Sequence, residues 1–133
     1  MREVLADTFF FLALGSPRDE GHARAMAFYG EGSWKLVTTA WVLTEVGDAL
    51  VAPGHRECFT QMLDMLARDP NAVVLPATHE LFLAGVDLFR SRPDKWWSLT
   101  DCISFVVMMR RAITDALTGD HHFEQAGFRA LLK

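Results

Sequence analysis

The stretch Glu3-Val4-Leu5-Ala6-Asp7-Thr8-Phe9-Phe10-Phe11-Leu12-Ala13-Leu14 reads as a strand running directly into a helix, with an acid at the junction. Glu3 to Ala6 is short and mostly apolar, and the run after Thr8 suits a helix laid back on the strand. The same alternation recurs along the chain. Ser16-Pro17 marks a turn, and Asp19 to Tyr29 reads as a helix ended by Gly30 and Gly32, followed by a strand over Lys35 to Thr38. Thr39 to Val51 and His55 to Arg68 have helical period, closed by Pro53-Gly54 and Asp69-Pro70. Ala72 to Leu75 predicts a third strand, Thr78 to Phe89 and Ser98 to Arg111 two helices, and Ile113 to Leu117 a fourth strand. His121 to Gln125 predicts a short helix and Phe128 to Leu132 a last strand. Strand and helix in alternation, with short connections, predict an α/β fold in three layers, α/β/α. Its central parallel sheet would have four or five strands, within one domain over residues 1–133.

Composition narrows the class. Half the residues are hydrophobic and 23% are charged, which excludes a disordered or collagen-like chain. Cys58 and Cys102 lack CxxC spacing and companions for a disulfide framework, so reduced thiols and a cytoplasmic location are expected. Glu3 and Asp7 stand where a signal peptide needs positive charge, and the apolar run Ile103 to Met109 is too short to span a membrane.

Four acids lie where a strand or turn reading gives way to a helix: Asp7, Glu45, Asp101 and Asp120. Three have ordinary structural readings. Asp7 could cap the following helix, Asp101 closes the capping box Ser98-Leu99-Thr100-Asp101, and Asp120 follows Thr118-Gly119 as a turn or cap residue. Glu45 discriminates, because Val42, Val46 and Ala49 place it on the helix stripe that should face the protein. A buried carboxylate must pair with a cation or bind a metal. Asp48, one turn on, reads as solvated. Hard oxygen ligands at one sheet edge suit Mg²⁺ or Mn²⁺. Zinc would want paired Cys and His ligands, and His121-His122 are expected to point in different directions, as surface or supporting residues. Removing the four acids from the 17 Asp and Glu leaves 13, equal to the 13 Lys and Arg, so a polyanion would be held locally rather than by a basic surface. The polar loop Arg90 to Trp97 offers Arg90, Arg92 and Lys95 for phosphates. Trp96 and Trp97 could stack on unpaired bases or cover the core beside the long helix.

Asp7-Thr8, Thr44-Glu45, Trp97-Ser98-Leu99-Thr100-Asp101-Cys102-Ile103-Ser104-Phe105 and Ala116-Leu117-Thr118-Gly119-Asp120-His121-His122-Phe123 together resemble the PIN-domain nucleases, most of all the short VapC-type toxins. The resemblance extends over essentially the whole chain and includes the closing Gln125-Ala126-Gly127. It implies metal-dependent RNA cleavage leaving a 5′-phosphate and a 3′-hydroxyl, with Asp7, Glu45, Asp101 and Asp120 as the acidic quartet. Thr8 and Thr118 match hydroxyl positions that orient the acids or water. It also implies a homodimer and an antitoxin that inserts a basic residue among the acids. The net charge of −4 departs from the more basic toxins of that family. One or two divalent ions in a carboxylate cage can neutralise phosphate charge, supply hydroxide near pH 7 and steady the departing oxygen. The alternative is a catalytically weak PIN module that binds RNA or a protein. A haloacid-dehalogenase-like enzyme would need a second Asp where Phe9 stands, and a receiver domain a late-strand lysine where only Lys133 remains.

Overall fold

A computed structural model describes residues 1–133. Five strands form one sheet: β1 (Arg2–Ala6), β2 (Trp34–Thr39), β3 (Ala72–Leu75), β4 (Asp115–Leu117) and β5 (Arg129–Ala130). Their order is β3-β2-β1-β4-β5 and every pairing is parallel. The helices are α1 (Thr8–Gly15), α2 (His22–Glu31), α3 (Ala40–Ala49), α4 (Arg56–Arg68), α5 (His79–Ser91), α6 (Leu99–Arg111) and α7 (His121–Gln125).

Side chains alternate across a strand, so each central strand feeds two cores. Val4, Ala6, Leu36 and Leu117 point to a face covered by Phe10, Phe11, Val42, Val46, Met62 and Leu66, from α1, α3 and α4. Leu5, Val37 and Ala116 point the other way, onto Leu81, Ile103, Phe105, Val107 and Phe123 from α5, α6 and α7. Helices on both faces bury the central strands twice over, which is why β1 reads as an apolar run rather than an alternating one. Packing of α5 on α6 depends on Gly85, where a Cβ would fall 2.3 Å from Ile103 Cγ1. No helix is long and apolar enough to cross a membrane.

Differences from the sequence reading lie at element ends. The second helix begins at His22 rather than Asp19, because the Asp19 carboxylate accepts the Gly21 N–H and holds a turn. The fourth strand begins at Asp115 rather than Ile113, since Ala112 closes α6 in a left-handed conformation at φ 56°. That first residue of β4, Asp115, is buried, and both Arg2 and Arg129 close on it. Arg129 Nε and Nη2 donate at 2.9 and 3.0 Å and Arg2 Nη2 at 2.9 Å.

Candidate active site

β1 pairs with β2 on one side and β4 on the other, so the chain winds outward in both directions from β1. The carboxyl ends of β1 and β4 therefore form a switch point, the edge at which open α/β sheets bind ligands. Asp7 follows β1 and Asp120 follows β4. Thr38 Oγ1 donates to the Ala6 carbonyl at 2.9 Å, tying the end of β2 to this edge, and Thr39 caps α3 by accepting the Val42 N–H. That cap starts the helix that carries Glu45.

Asp7 stands at the N-cap of α1, yet its side chain makes no capping hydrogen bond. Instead it accepts from Thr118 Oγ1 at 3.1 Å, and it is only 5% exposed. Burial, then repulsion from Asp101, then from Glu45, push its carboxyl up to about 7, against the opposing pull of the Thr8 N–H and the Thr118 hydroxyl. Thr118 also accepts the Asp120 N–H at 3.0 Å, so one buried hydroxyl links two of the acids. Thr8 Oγ1 donates to Glu45 Oε1 at 2.6 Å.

Asp101 completes the capping box with Ser98, its Oδ2 accepting the Ser98 N–H at 3.2 Å while its own N–H donates to Ser98 Oγ at 3.0 Å. Burial raises its carboxyl above the usual range and Asp120 adds to the rise, opposed by the Ser98 N–H and by His122. Asp120 caps α7 by accepting the His122 N–H at 2.9 Å. Asp101 and Asp120 thus cap helices and also face their fellow acids. Glu45 is half-buried at the margin of the α3 stripe, where Val42 and Val46 are buried and Ala49 is exposed. No Lys or Arg pairs with any of the four; the only basic partners are His121 and His122. Mutually repelling oxygen donors around a buried acid with no internal cation fit a hard divalent ion. Asp7, Glu45, Asp101 and Asp120 could hold it.

Gly119, between Thr118 and Asp120, has a steric reason to be glycine: a Cβ there would lie 2.6 Å from Phe9 Cζ. The loop carrying Asp120 can therefore press against the start of α1.

The two histidines depart from the sequence reading. They do not point apart as expected: Asp120, the cap of α7, lies between them and both rings turn toward its carboxylate, although the exposed His121 and the partly buried His122 keep the surface and supporting places the sequence reading gave them. Nδ1 of His121 and of His122 lie 3.5 and 3.4 Å from Asp120 Oδ1, and His122 Nδ1 lies 3.3 Å from Asp101 Oδ2. The only sequence signal was their position directly after a capping acid.

Arg90 lies in the last turn of α5 rather than in the loop the sequence reading gave it, and the segment Arg92–Trp97 that follows is divided in its commitments. Trp97 is buried, packs edge-on against Phe105 at 5.0 Å and donates from Nε1 to Gln125 at 3.1 Å, so it belongs to the core. Trp96 is 91% exposed. Arg92 forks onto Asp94 at 3.0 and 2.9 Å and lies over the Trp97 ring, and that pairing holds the Asp94 carboxyl down at about 2. Arg90 is exposed and Lys95 half-exposed. Asp94, Lys95, Trp96, His121, His122 and Gln125 line an open cleft of about 370 Å³.

An all-parallel sheet of order β3-β2-β1-β4-β5 between helical layers, with acids gathered at its switch point, is the PIN-like fold. The chain superposes on the Mycobacterium tuberculosis toxin VapC20, which cleaves the sarcin–ricin loop, with TM-score 0.84 and 23% identity over 94% of this chain and 95% of that one. It also superposes on a chain of Rickettsia felis VapBC2, a complex bound to a DNA fragment from its own promoter. There the TM-score is 0.67 and the identity 9%, over 96% of each chain. No protein-family model and no curated protein sequence matches the chain.

Proposed function

We propose that this protein is a divalent-metal-dependent endoribonuclease, the toxin of a toxin–antitoxin pair. The observation that carries the reading is Asp7: a buried acid, crowded by Asp101 and Glu45, with no cation of the chain beside it. Superposition along nearly the full length of VapC20 supports the same reading. A divalent ion held by Asp7, Asp101 and Asp120 would offset phosphate charge, lower the cost of forming hydroxide at neutral pH and stabilise the leaving 3′-oxygen. Thr118 and Thr8 fix the rotamers of Asp7 and Glu45 through their hydroxyls, so the acids are oriented before substrate arrives. Glu45, half-open to solvent, is placed to hold a second ion or to orient the attacking water.

RNA would run past Trp96, whose exposed ring can stack on an unpaired base, with Lys95 and Arg90 near the backbone. Trp96→Ala should weaken single-stranded RNA binding by about 1–3 kcal/mol without lowering Tm. Trp97→Ala should instead destabilise by about 3–5 kcal/mol as a core truncation. Equal RNA affinity in wild type and Trp96→Ala would remove the ring from the RNA path. An antitoxin supplying an Arg or Lys would complete the missing counter-charge, and the VapBC2 likeness supports such a partner. A second copy of the chain would cover Phe82, Leu83 and Phe89, which α5 leaves exposed. Light scattering of the purified protein tests that dimer.

The decisive experiment is cleavage of loop-containing RNA by purified protein with Mg²⁺ or Mn²⁺ and with excess chelator. Cleavage that needs the ion and is lost in Asp101→Asn supports the reading. RNA binding with no cleavage under any divalent ion would leave a binding module.

A further inference from the structure

We propose that Asp120, His121 and His122 form a site for a borderline ion of the zinc type that competes with the carboxylate cage for one of its acids, Asp120. The two imidazoles are not needed to explain the cage, and they change its donor chemistry. Nitrogen donors favour zinc and its neighbours over magnesium, which prefers oxygen throughout.

Geometry favours this occupant. The donor atoms of Asp120, His121 and His122 all lie within 4.8 Å of one another. The closest approaches are His122 Nδ1 to Asp101 Oδ2 at 3.3 Å, His122 Nδ1 to Asp120 Oδ1 at 3.4 Å and His121 Nδ1 to Asp120 Oδ1 at 3.5 Å. Tetrahedral zinc with bonds of about 2.0–2.1 Å sets its donors about 3.3–3.4 Å apart along each edge. An octahedral magnesium ion with bonds of that length would want neighbouring donors about 2.9 Å apart. The two Asp120–histidine distances are therefore near a tetrahedral edge, and three protein donors with an open fourth position are an arrangement that zinc takes; Asp101 stands outside the mutual group.

Access and freedom are both present. The rings of His121 and His122 are 4.5 Å apart, and both line the open cleft with Asp94, Lys95, Trp96 and Gln125. Neither Asp101 nor Asp120 is tied to an Arg or Lys that would have to be displaced. A zinc-type ion here takes Asp120 out of the cage without removing Asp7, Glu45 or Asp101. On the ribonuclease reading, which this second consequence rests on, such an ion inhibits cleavage.

Cobalt reports coordination number by its visible absorption, so Co²⁺ titration of the full chain tests the site without any assay of cleavage. Intense four-coordinate absorption, displaced by Zn²⁺ but not by excess Mg²⁺, is expected. His121→Ala should weaken Zn²⁺ binding by at least about 10-fold. Its exposed side chain makes that variant safe for the fold. Faint six-coordinate absorption in wild type, or Co²⁺ and Zn²⁺ responses unchanged in His121→Ala, would overturn the site. A second arm uses RNA cleavage in Mg²⁺, each protein read against its own rate without Zn²⁺: Zn²⁺ should inhibit wild type at lower concentration than His121→Ala. Equal inhibition of both proteins would overturn the competition. Absence of any cleavage would count against the ribonuclease reading alone, with the cobalt result still deciding the site.

Discussion

Two buried aspartates stand at opposite ends of the sheet and are treated in opposite ways. Asp115, opening β4, is closed between Arg2 and Arg129. Asp7, just past the end of β1, receives a hydroxyl from Thr118 and the repulsion of Asp101 and Glu45. One fold therefore holds an acid whose charge is answered from within and another whose charge is left for something outside to answer. The first kind of burial holds strands together; the second costs stability, and the proposed function gives that cost a use in holding a cation.

The sharpest test of the contrast is loss of activity at the open end. Asp101→Asn should lower metal-dependent cleavage by at least about 10³-fold, near the upper range for removing one preorganised charge-stabilising group, with an unchanged far-UV spectrum. Near-normal rates would show that the unanswered acids serve no chemistry.

Next in size is the pH dependence of the metal-free protein. Asp7 keeps its proton up to about 7 when folded, whereas its ordinary value is 3.8, so the folded state holds more protons than the unfolded chain between those limits. Stability of the metal-free protein should therefore fall as pH rises from about 4 to about 7 and level off above, by at most roughly 4 kcal/mol. Asp7→Asn should flatten that slope, and saturating Mg²⁺ should reduce it. Chemical denaturation at a series of pH values checks both, and a slope equally steep in Asp7→Asn would assign it to other groups.

At the closed end the sign reverses. Asp115→Ala should destabilise by about 1–3 kcal/mol, since charged hydrogen bonds are lost but the two guanidiniums left behind are exposed to water. If Asp115→Ala melts at the wild-type temperature, the clamp is ornamental and the contrast loses one side.

The smallest effect belongs to Asp120→Asn. Asn caps a helix about as well as Asp, so a change of up to about 1 kcal/mol is expected. It should be a rise in Tm without metal, from relief of repulsion with Asp101, together with a smaller gain on adding Mg²⁺. Melting curves with chelator and with excess Mg²⁺ measure both; identical Mg²⁺ responses would take Asp120 out of the cage.

How much of this is readable in the residues follows from the range of each interaction. Strand–helix alternation is a local pattern, and a doubly buried parallel sheet writes it plainly, so all five strands and seven helices lie where their patterns put them. Element ends were less legible, because the turn at Asp19 and the left-handed Ala112 are single-residue decisions. The order of the four acids was visible, but Asp7's refusal to cap α1 was not, since an N-cap position reads the same whether or not the side chain turns back. The Asp115 clamp was invisible because one of its arginines is 113 residues away. Trp96 and Trp97 share one irregular loop without a period to separate them, and only the packing against Phe105 tells which ring faces inward.

The Thr118–Asp7 hydrogen bond joins residues 111 positions apart and has a consequence in time. A nascent chain lengthens at about 5–20 residues per second, so several seconds separate the emergence of these two partners. During that interval Asp7 and Glu45 exist without Asp101 and Asp120, and β1 has no β4 to pair with. The assembled edge must wait for β4. For an enzyme proposed to cut RNA, activity is thereby withheld from the growing chain until β4 and the turn carrying Asp120 have joined β1.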